Sequence, residues 1–158
     1  MVKITSFRKE ETMENRTENW VLTQVGVVVK DVGKAVERLG ELGIGPFNKM
    51  PLPPEREEYF RGKRMYAEFD IRGTQMGNVQ LELIQPLEGD SPHKEFLETK
   101  GEGIQHVMYQ VDNLEKTVKE LTDKGVEVLL RAKFPDGGGV AYVDLGVSNI
   151  VIELSQKR

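Results

Sequence analysis

The sequence contains no cysteine and only two histidines. The lack of cysteine excludes disulfide bonds, thiolate metal sites and cysteine nucleophiles. No apolar run approaches the roughly 20 residues of a membrane span, and the first 20 residues lack the apolar centre of a secretory signal. The net charge is only −4, which gives no general electrostatic basis for binding nucleic acid or an anionic membrane. We therefore expect a soluble cytoplasmic protein with neither kind of partner.

The chain contains an internal repeat. Residues 24–43 align with residues 106–125 at a shift of 82 without a gap, and residues 81–83 align with residues 152–154 at a shift of 71. The composition, 38% hydrophobic and 30% charged, is that of an ordinary globular protein. The repeat indicates that the chain consists of two copies of one module.

Each copy begins with the pattern of a strand followed by a helix. Residues 21–29 are rich in valine, which favours a strand. Asp31 can cap a helix whose apolar residues follow helical spacing, and Gly43 can end it. In the second copy a strand at 105–111 precedes a helix capped by Asp112 or Asn113 and ended by Gly125. Short strand-like segments follow each helix, at 65–72 and 78–84 in the first copy and at 126–131, 140–145 and 149–154 in the second. We predict an α+β fold of two βαβββ modules, forming a curved mixed sheet (a cup) with the helices on the outside.

The predicted organisation is a polar tail at 1–18 and one domain at 19–156. Its modules, 20–86 and 104–156, are joined by a linker helix at 91–100, with Pro92 at the first helical position. Residues 50–64 contain three prolines and many charges, so we predict a surface loop there rather than a strand. His93, in the linker, is expected to be solvated.

Four polar residues occupy equivalent positions in the two copies: Gln24 with His106, and Glu82 with Glu153. Strand alternation places them on the concave face, because the opposite face is more apolar and suits packing under the helices. A lone His or Glu on a strand is more often hydrogen-bonded or solvated than bound to a metal, but two such pairs favour a metal site. One imidazole nitrogen and three oxygen donors suit a divalent Zn, Co, Mn or Ni ion, with positions left for water or substrate.

Four segments carry a resemblance to a known family: QVGVVVKDVGKAVE (24–37), LELIQPLEGDSP (81–92), FLETKGEGIQHV (96–107) and IVIELSQ (150–156). Over roughly residues 20–156 the sequence resembles the vicinal oxygen chelate (glyoxalase/bleomycin resistance/dioxygenase) superfamily, and within it the methylmalonyl-CoA epimerases. The resemblance implies paired βαβββ modules around a metal, an acyl-CoA substrate and a homodimer. One departure is Gln24, where epimerases usually have histidine. The set Gln24, Glu82, His106 and Glu153 instead resembles the metal ligands of zinc-type glyoxalase I.

The resemblance therefore implies a metal-dependent epimerase of a 2-methyl-branched acyl-CoA or, alternatively, a glyoxalase I-like lactoylglutathione lyase. In both reactions a carboxylate removes a proton beside a carbonyl group, and a divalent metal stabilises the enolate. The resemblance implies Glu153 as the base, and Glu68 is the candidate for a second acid–base group. No substrate-binding residues are predicted.

Two further alternatives follow from the same superfamily. The first is a non-catalytic small-molecule binding module, against which the carboxylates Glu82 and Glu153 argue. The second is an Fe(II) dioxygenase, which is disfavoured because its metal needs two histidines and a carboxylate. Only one of the two histidines of this chain, His106, lies at a predicted ligand position.

Overall fold

A computed structural model describes residues 17–157. Apart from residues 17 and 18, the predicted tail lies outside the described part of the chain. Ten strands and three helices occur within the described residues. The strands are β1 (Val21–Val28), β2 (Asn48–Lys49), β3 (Glu57–Phe60), β4 (Lys63–Met65), β5 (Glu68–Met76), β6 (Val79–Glu88), β7 (Gly103–Val111), β8 (Glu127–Lys133), β9 (Gly139–Asp144) and β10 (Val151–Gln156). The helices are α1 (Val32–Glu41), α2 (Pro92–Lys100) and α3 (Leu114–Thr122).

The strands form one mixed sheet in the order β2-β5-β6-β1-β7-β10-β9-β8-β3-β4. The antiparallel pair β1 and β7 lies at the centre of the eight strands from β2 to β8 in this order, with β6 parallel to β1 and β10 parallel to β7. The pairing register repeats like the sequence: Gln24 with Gln80 and Gly26 with Glu82 in the first half correspond to His106 with Val151 and Met108 with Glu153 in the second. The two halves are therefore related residue by residue around the central pair.

The helices begin and end at the predicted signals. The Asp31 side chain accepts a hydrogen bond from the Lys34 amide (3.0 Å), and Asn113 rather than Asp112 caps α3. Gly43 and Gly125 follow α1 and α3 with φ of 78° and 85°, a backbone conformation that glycine adopts without strain. Both helices cover apolar clusters on the convex face of the sheet, and the predicted fold class is confirmed. Among the described residues, no helix has both the length and the apolar character needed to cross a membrane.

The prediction of a loop at 50–64 is wrong for its second part. Residues 57–60 and 63–65 form a hairpin that pairs with β8, in the other half of the sheet. Its two-residue turn, Arg61 and Gly62, has positive φ at both positions (46° and 78°), as the tight turn favoured in hairpins requires. All three prolines lie at or before position 54, so they do not interrupt either strand.

The connection from β4 to β5 forces the sheet to curl. The strand β4 is the last strand at one end of the sheet, and β5 is the second from the other end. Only Tyr66 and Ala67 separate them, and this link spans at most about 11 Å. The two ends of the sheet must therefore approach each other, which curls the sheet into a cup.

Candidate metal centre

A glycine on β1 makes room for a histidine on β7. Gly26 lies directly opposite His106 on one side and beside Glu82 on the other. A Cβ atom at position 26 would overlap with the His106 imidazole. Because Gly26 has no side chain, the ring lies across β1 and points toward Glu82. The His106 residue is 1% exposed.

Three side-chain oxygens surround the Nε2 atom of His106. Glu153 Oε2 lies at 3.0 Å, Gln24 Oε1 at 3.4 Å and Glu82 Oε2 at 3.5 Å. All four residues are buried, and single ligand atoms of Glu82, His106 and Glu153 all lie within 4.8 Å of one another. The structure thus brings together the four side chains that the repeat pairs in the sequence.

Two further glutamines orient this cluster. Gln105 Oε1 lies 2.8 Å from His106 Nδ1, which can donate to it, so that Nε2 faces the carboxylates. The Gln24 amide donates through Nε2 to Gln80 Oε1 (2.8 Å), which leaves its own Oε1 directed at His106. Outer hydrogen bonds of this kind fix the tautomer and orientation of metal ligands.

The cluster is electrostatically unbalanced. Burial alone lowers the pKa of His106, but the hydrogen bonds and charges of Glu153 and Glu82 outweigh it and raise the pKa to about 9. The pKa of Glu82 is also raised, first by burial and then by the charge of Glu153. Two carboxyl groups thus share one buried space with the imidazole, and their repulsion favours a positive charge between them.

The residues present fit a divalent metal ion. Glu82 Oε2 is buried and has no hydrogen-bond partner among the described residues. A single hydrogen on His106 Nε2 cannot serve three oxygen acceptors well. A cation between these atoms would satisfy all four donors and offset both carboxylates. An imidazole with three oxygens is compatible with Zn, Co, Mn or Ni.

A second histidine lies against the centre. The expectation that His93 is solvated is wrong: it is 5% exposed, and neither ring nitrogen has a hydrogen-bond partner among residues 17–157. Its ring meets Phe69, Tyr142 and His106 edge-on, with centroids at 5.1, 5.4 and 6.2 Å. Burial, and then the charge of His106, lowers the pKa of His93 to about 3.

Replacing His93 by phenylalanine is expected to make the protein less sensitive to acid. Below the ordinary pKa of 6.5 the unfolded chain binds a proton at His93, but the folded chain does not until about pH 3. As the pH falls from 6.5 to 3, the free energy of unfolding of the wild type therefore decreases relative to that of His93→Phe. Above pH 6.5 the difference between the two free energies is constant. Denaturant unfolding from pH 8 to pH 4, with a chelator present, measures this difference. Parallel curves over the whole range would contradict the prediction.

The second predicted catalytic residue, Glu68, is not part of the cluster. It is the exposed first residue of β5, lies opposite Glu88 and precedes a register irregularity. Sequence reasoning did not single out two buried residues on the same face of the sheet as Glu153. Tyr142 pairs directly with Glu153, and Glu58 comes from the hairpin. The sequence does contain a signal for the hairpin that carries Glu58. Gly62 lies between two short segments that contain aromatic residues, a pattern typical of a hairpin.

An open cleft of about 1030 Å³ adjoins the cluster. Met108, which pairs with Glu153, and Ser155, two residues beyond it on the same face, line this cleft. Loop residues 136–139 and the basic residues Arg131, Lys133 and Lys157 form other parts of its wall. Arg131 and Lys157 also form ion pairs, with Glu115 and Asp112 respectively. Of the two carboxylates in the cluster, Glu153 is therefore the one whose neighbours in the sheet line the cleft.

Comparison with known proteins agrees with this architecture. The family model described as "Glyoxalase/Bleomycin resistance protein/Dioxygenase superfamily" matches residues 23–143. The uncharacterized protein YqjC of Bacillus subtilis is 35% identical over 89 residues, which cover 53% of this chain and 62% of that protein. The mitochondrial methylmalonyl-CoA epimerase of Bos taurus is 33% identical over 140 residues, which cover 85% of this chain and 73% of that enzyme. The chain thus spans less than two thirds of YqjC and nearly three quarters of the bovine enzyme.

Solved structures share the fold. The hypothetical protein BH1468 from Bacillus halodurans matches with a TM-score of 0.67 at 22% identity, over 89% of this chain and 96% of that chain. A methylmalonyl-CoA epimerase in complex with methylmalonyl-CoA and an ammonium ion matches with a TM-score of 0.62 at 19% identity, over 86% of this chain and 93% of that chain. The sequence match and the shared fold lead to one conclusion. The chain belongs to the glyoxalase/bleomycin resistance protein/dioxygenase superfamily.

Proposed function

We propose that this protein is a metal-dependent epimerase of a 2-methyl-branched acyl-CoA such as methylmalonyl-CoA. The observation that carries the proposal is the convergence of Gln24, Glu82 and Glu153 on His106 Nε2, in a chain similar to methylmalonyl-CoA epimerases. We also propose a cytoplasmic location, and a homodimer, which sedimentation of the purified protein tests. A purely monomeric species would exclude the dimer.

In this proposal Gln24, Glu82, His106 and Glu153 hold a divalent ion, of which Co, Mn, Zn and Ni are the candidates. When bound, the ion supplies positive charge where negative charge develops on the thioester oxygen. Glu153 removes the proton from the adjacent carbon, and inversion requires that a proton be delivered to the opposite face of that carbon. Glu153 suits the role of base better than Glu82, because its strand partner Met108 lines the cleft. The strand partners of Glu82 are Gly26 and Gly73, and neither lines it.

The cleft supports a long substrate. Its volume of about 1030 Å³ is at the upper end of the range for small-molecule sites. Lys133 and Lys157 in its wall are suited to phosphate groups. The acyl end of a substrate would then lie toward Met108 and Glu153, and the coenzyme would extend along the open part of the cleft.

The experiment that tests the function compares two reactions. In deuterium oxide, wild-type protein loaded with each candidate metal should introduce deuterium at the acyl carbon of methylmalonyl-CoA and interconvert its epimers. In a parallel assay, the same protein should form no thioester from methylglyoxal and glutathione. Thioester formation without deuterium exchange would replace the epimerase by the second candidate, a glyoxalase I-like lyase, which the identities of the four donors favour.

A non-catalytic binding module is the third possibility. It is separated from both enzymes by metal analysis of the purified protein. An enzyme of either kind should hold about one divalent ion per chain, because the two carboxylates and the imidazole form a buried donor set. Protein that neither contains such an ion nor takes one up would support the binding module.

A further inference from the structure

The hairpin β3–β4 places a carboxylate on the concave face. Glu58 pairs with Ala132, Ala132 with Val140, and Val140 with Ser155. Residues directly opposite one another in a sheet share a face, so Glu58 lies on the same face as Ser155 and Glu153. The row from Glu58 to Ser155 is adjacent to the row that contains Tyr142 and Glu153. Ala132, Val140 and Ser155 line the cleft, and Glu58 stands at the end of this row.

Glu58 is buried and held in place. The residue is 7% exposed, and its Oε2 lies 3.0 Å from Arg56 Nε. Arg56 also donates through Nη2 to the backbone oxygen of Ala67 (2.8 Å) and through Nη1 to that of Pro53 (3.3 Å). The guanidinium thus connects the hairpin to the start of β5 and fixes the orientation of the carboxylate.

The surroundings of Glu58 do not require a charge. Its strand partners on either side are Met65 and Ala132, which belong to an apolar cluster on the concave face. An apolar side chain at position 58 would complete this cluster, and apolar replacement of a buried ion pair is often neutral or stabilising. Burial raises the pKa of Glu58 although Arg56 opposes the shift. The carboxyl group can therefore hold a proton more readily than an exposed glutamate.

Glu58 and Glu153 lie on different parts of the curled sheet and face the same concave interior. The strands β3 and β10 are separated by β8 and β9 in the curled sheet. The charges of Glu153, Glu82 and Glu58 all raise the pKa of Tyr142, after the larger effect of burial. The Tyr142 hydroxyl therefore lies within electrostatic reach of both the metal cluster and Glu58. A substrate carbon beside Glu153 would have Glu58 on another side.

We propose that Glu58 is the second acid–base residue of the site, acting on the face of the acyl carbon opposite Glu153. The assignment rests on the proposed epimerase function. Glu153 takes the proton from the carbon, and the electron pair of the C–H bond moves to the thioester oxygen. The Glu58 carboxyl group then gives its proton to the other face of the carbon, and the electron pair returns to form the new C–H bond. Exchange with water then removes the proton from Glu153 and restores the proton on Glu58. The opposite epimer reacts in the reverse direction.

The test uses each pure epimer of methylmalonyl-CoA in deuterium oxide with the metal-loaded protein. In Glu58→Gln, the epimer whose proton faces Glu153 should still exchange it for deuterium, while interconversion of the epimers falls at least about 100-fold. The other epimer should neither exchange nor invert. Glu68→Gln tests the other candidate for this role. Glu68 is exposed and acts on Glu58 only through its charge, so this variant should keep both reactions within a few-fold of the wild-type rate.

The outcomes separate this assignment from the function on which it rests. Wild-type protein that exchanges neither epimer would overturn both. If the wild type is active and Glu58→Gln interconverts the epimers at the wild-type rate, the assignment of Glu58 is wrong but the function stands. One-sided exchange in Glu68→Gln would also overturn the assignment of Glu58. Thermal unfolding and metal content show whether Glu58→Gln is folded. If it is not folded, Glu58→Asp replaces it, because aspartate keeps a negative charge beside Arg56. This variant should interconvert the epimers more slowly but retain one-sided exchange. Full activity in Glu58→Asp would overturn the assignment.

Discussion

If the proposed metal site is correct, the Gly26→Ala variant is expected to fold but to lose most of its affinity for a divalent metal. A methyl group at position 26 would overlap with the His106 imidazole, so the ring must rotate away from Gln24, Glu82 and Glu153. Even changes to residues behind a metal ligand weaken binding about 10–100-fold, and displacing the ligand itself should cost at least as much. Isothermal titration with Zn, Co, Mn and Ni, together with metal analysis of the purified variant, measures the loss.

A second glycine provides the control. Gly40 lies within α1, and a Cβ atom there meets nothing within 4 Å. Gly40→Ala should therefore keep the metal and stabilise the protein by about 0.5–1 kcal/mol, through the higher helix propensity of alanine. Wild-type metal affinity in Gly26→Ala would show that His106 does not need its observed position, and it would remove the ground for assigning it as a ligand.

The paired variants Glu153→Gln and Glu82→Gln are expected to fail for different reasons. The two residues are equivalent in the repeat, both are buried, and both face His106. If Glu153 is the base, Glu153→Gln should slow deuterium exchange into methylmalonyl-CoA by a factor of about 10²–10⁴, and excess metal should not restore the rate. Glu82→Gln loses a charged ligand but no proton acceptor, so excess metal should restore most of its activity.

Exchange rates measured against metal concentration distinguish the two variants. The result that would contradict the assignment is recovery of Glu153→Gln at high metal concentration, because the residue would then act only as a ligand. Failure of Glu82→Gln to recover while Glu153→Gln does so would transfer the role of base to Glu82.

Much of the fold follows from local signals in the sequence. The strand and helix of each repeat are predictable because caps, glycine stops and apolar spacing agree at Asp31, Gly43, Asn113 and Gly125. The four donors of the cluster are predictable because the repeat pairs them and strand alternation places each pair on one face. Their convergence also needs Gly26, whose importance appears only when β7 is placed against β1.

The hairpin has one local signal, Gly62, which the preceding prolines and charges outweigh, and the buried histidine has none. The prolines and charges of residues 50–56 conceal two short strands. Of these, β3 pairs with β8, more than 60 residues later in the chain, and β4 pairs with β3. His93 follows Pro92 at the start of a short helix, and its burial depends on Phe69 and Tyr142, which are distant in sequence. Such contacts between distant segments are set by tertiary packing and leave no periodic pattern.

The hairpin also makes the two repeats mutually dependent. Strands β3 and β4 belong to the first repeat in sequence but extend the sheet of the second, beyond β8. A polypeptide starting at residue 103 would expose β8 as an unpaired edge, which invites association with other chains. Conversely, a fragment ending before that residue would carry a hairpin without its partner strand. In a chimera that takes one repeat from a homologous protein, residues 57–65 must therefore come from the same protein as the second repeat, not the first.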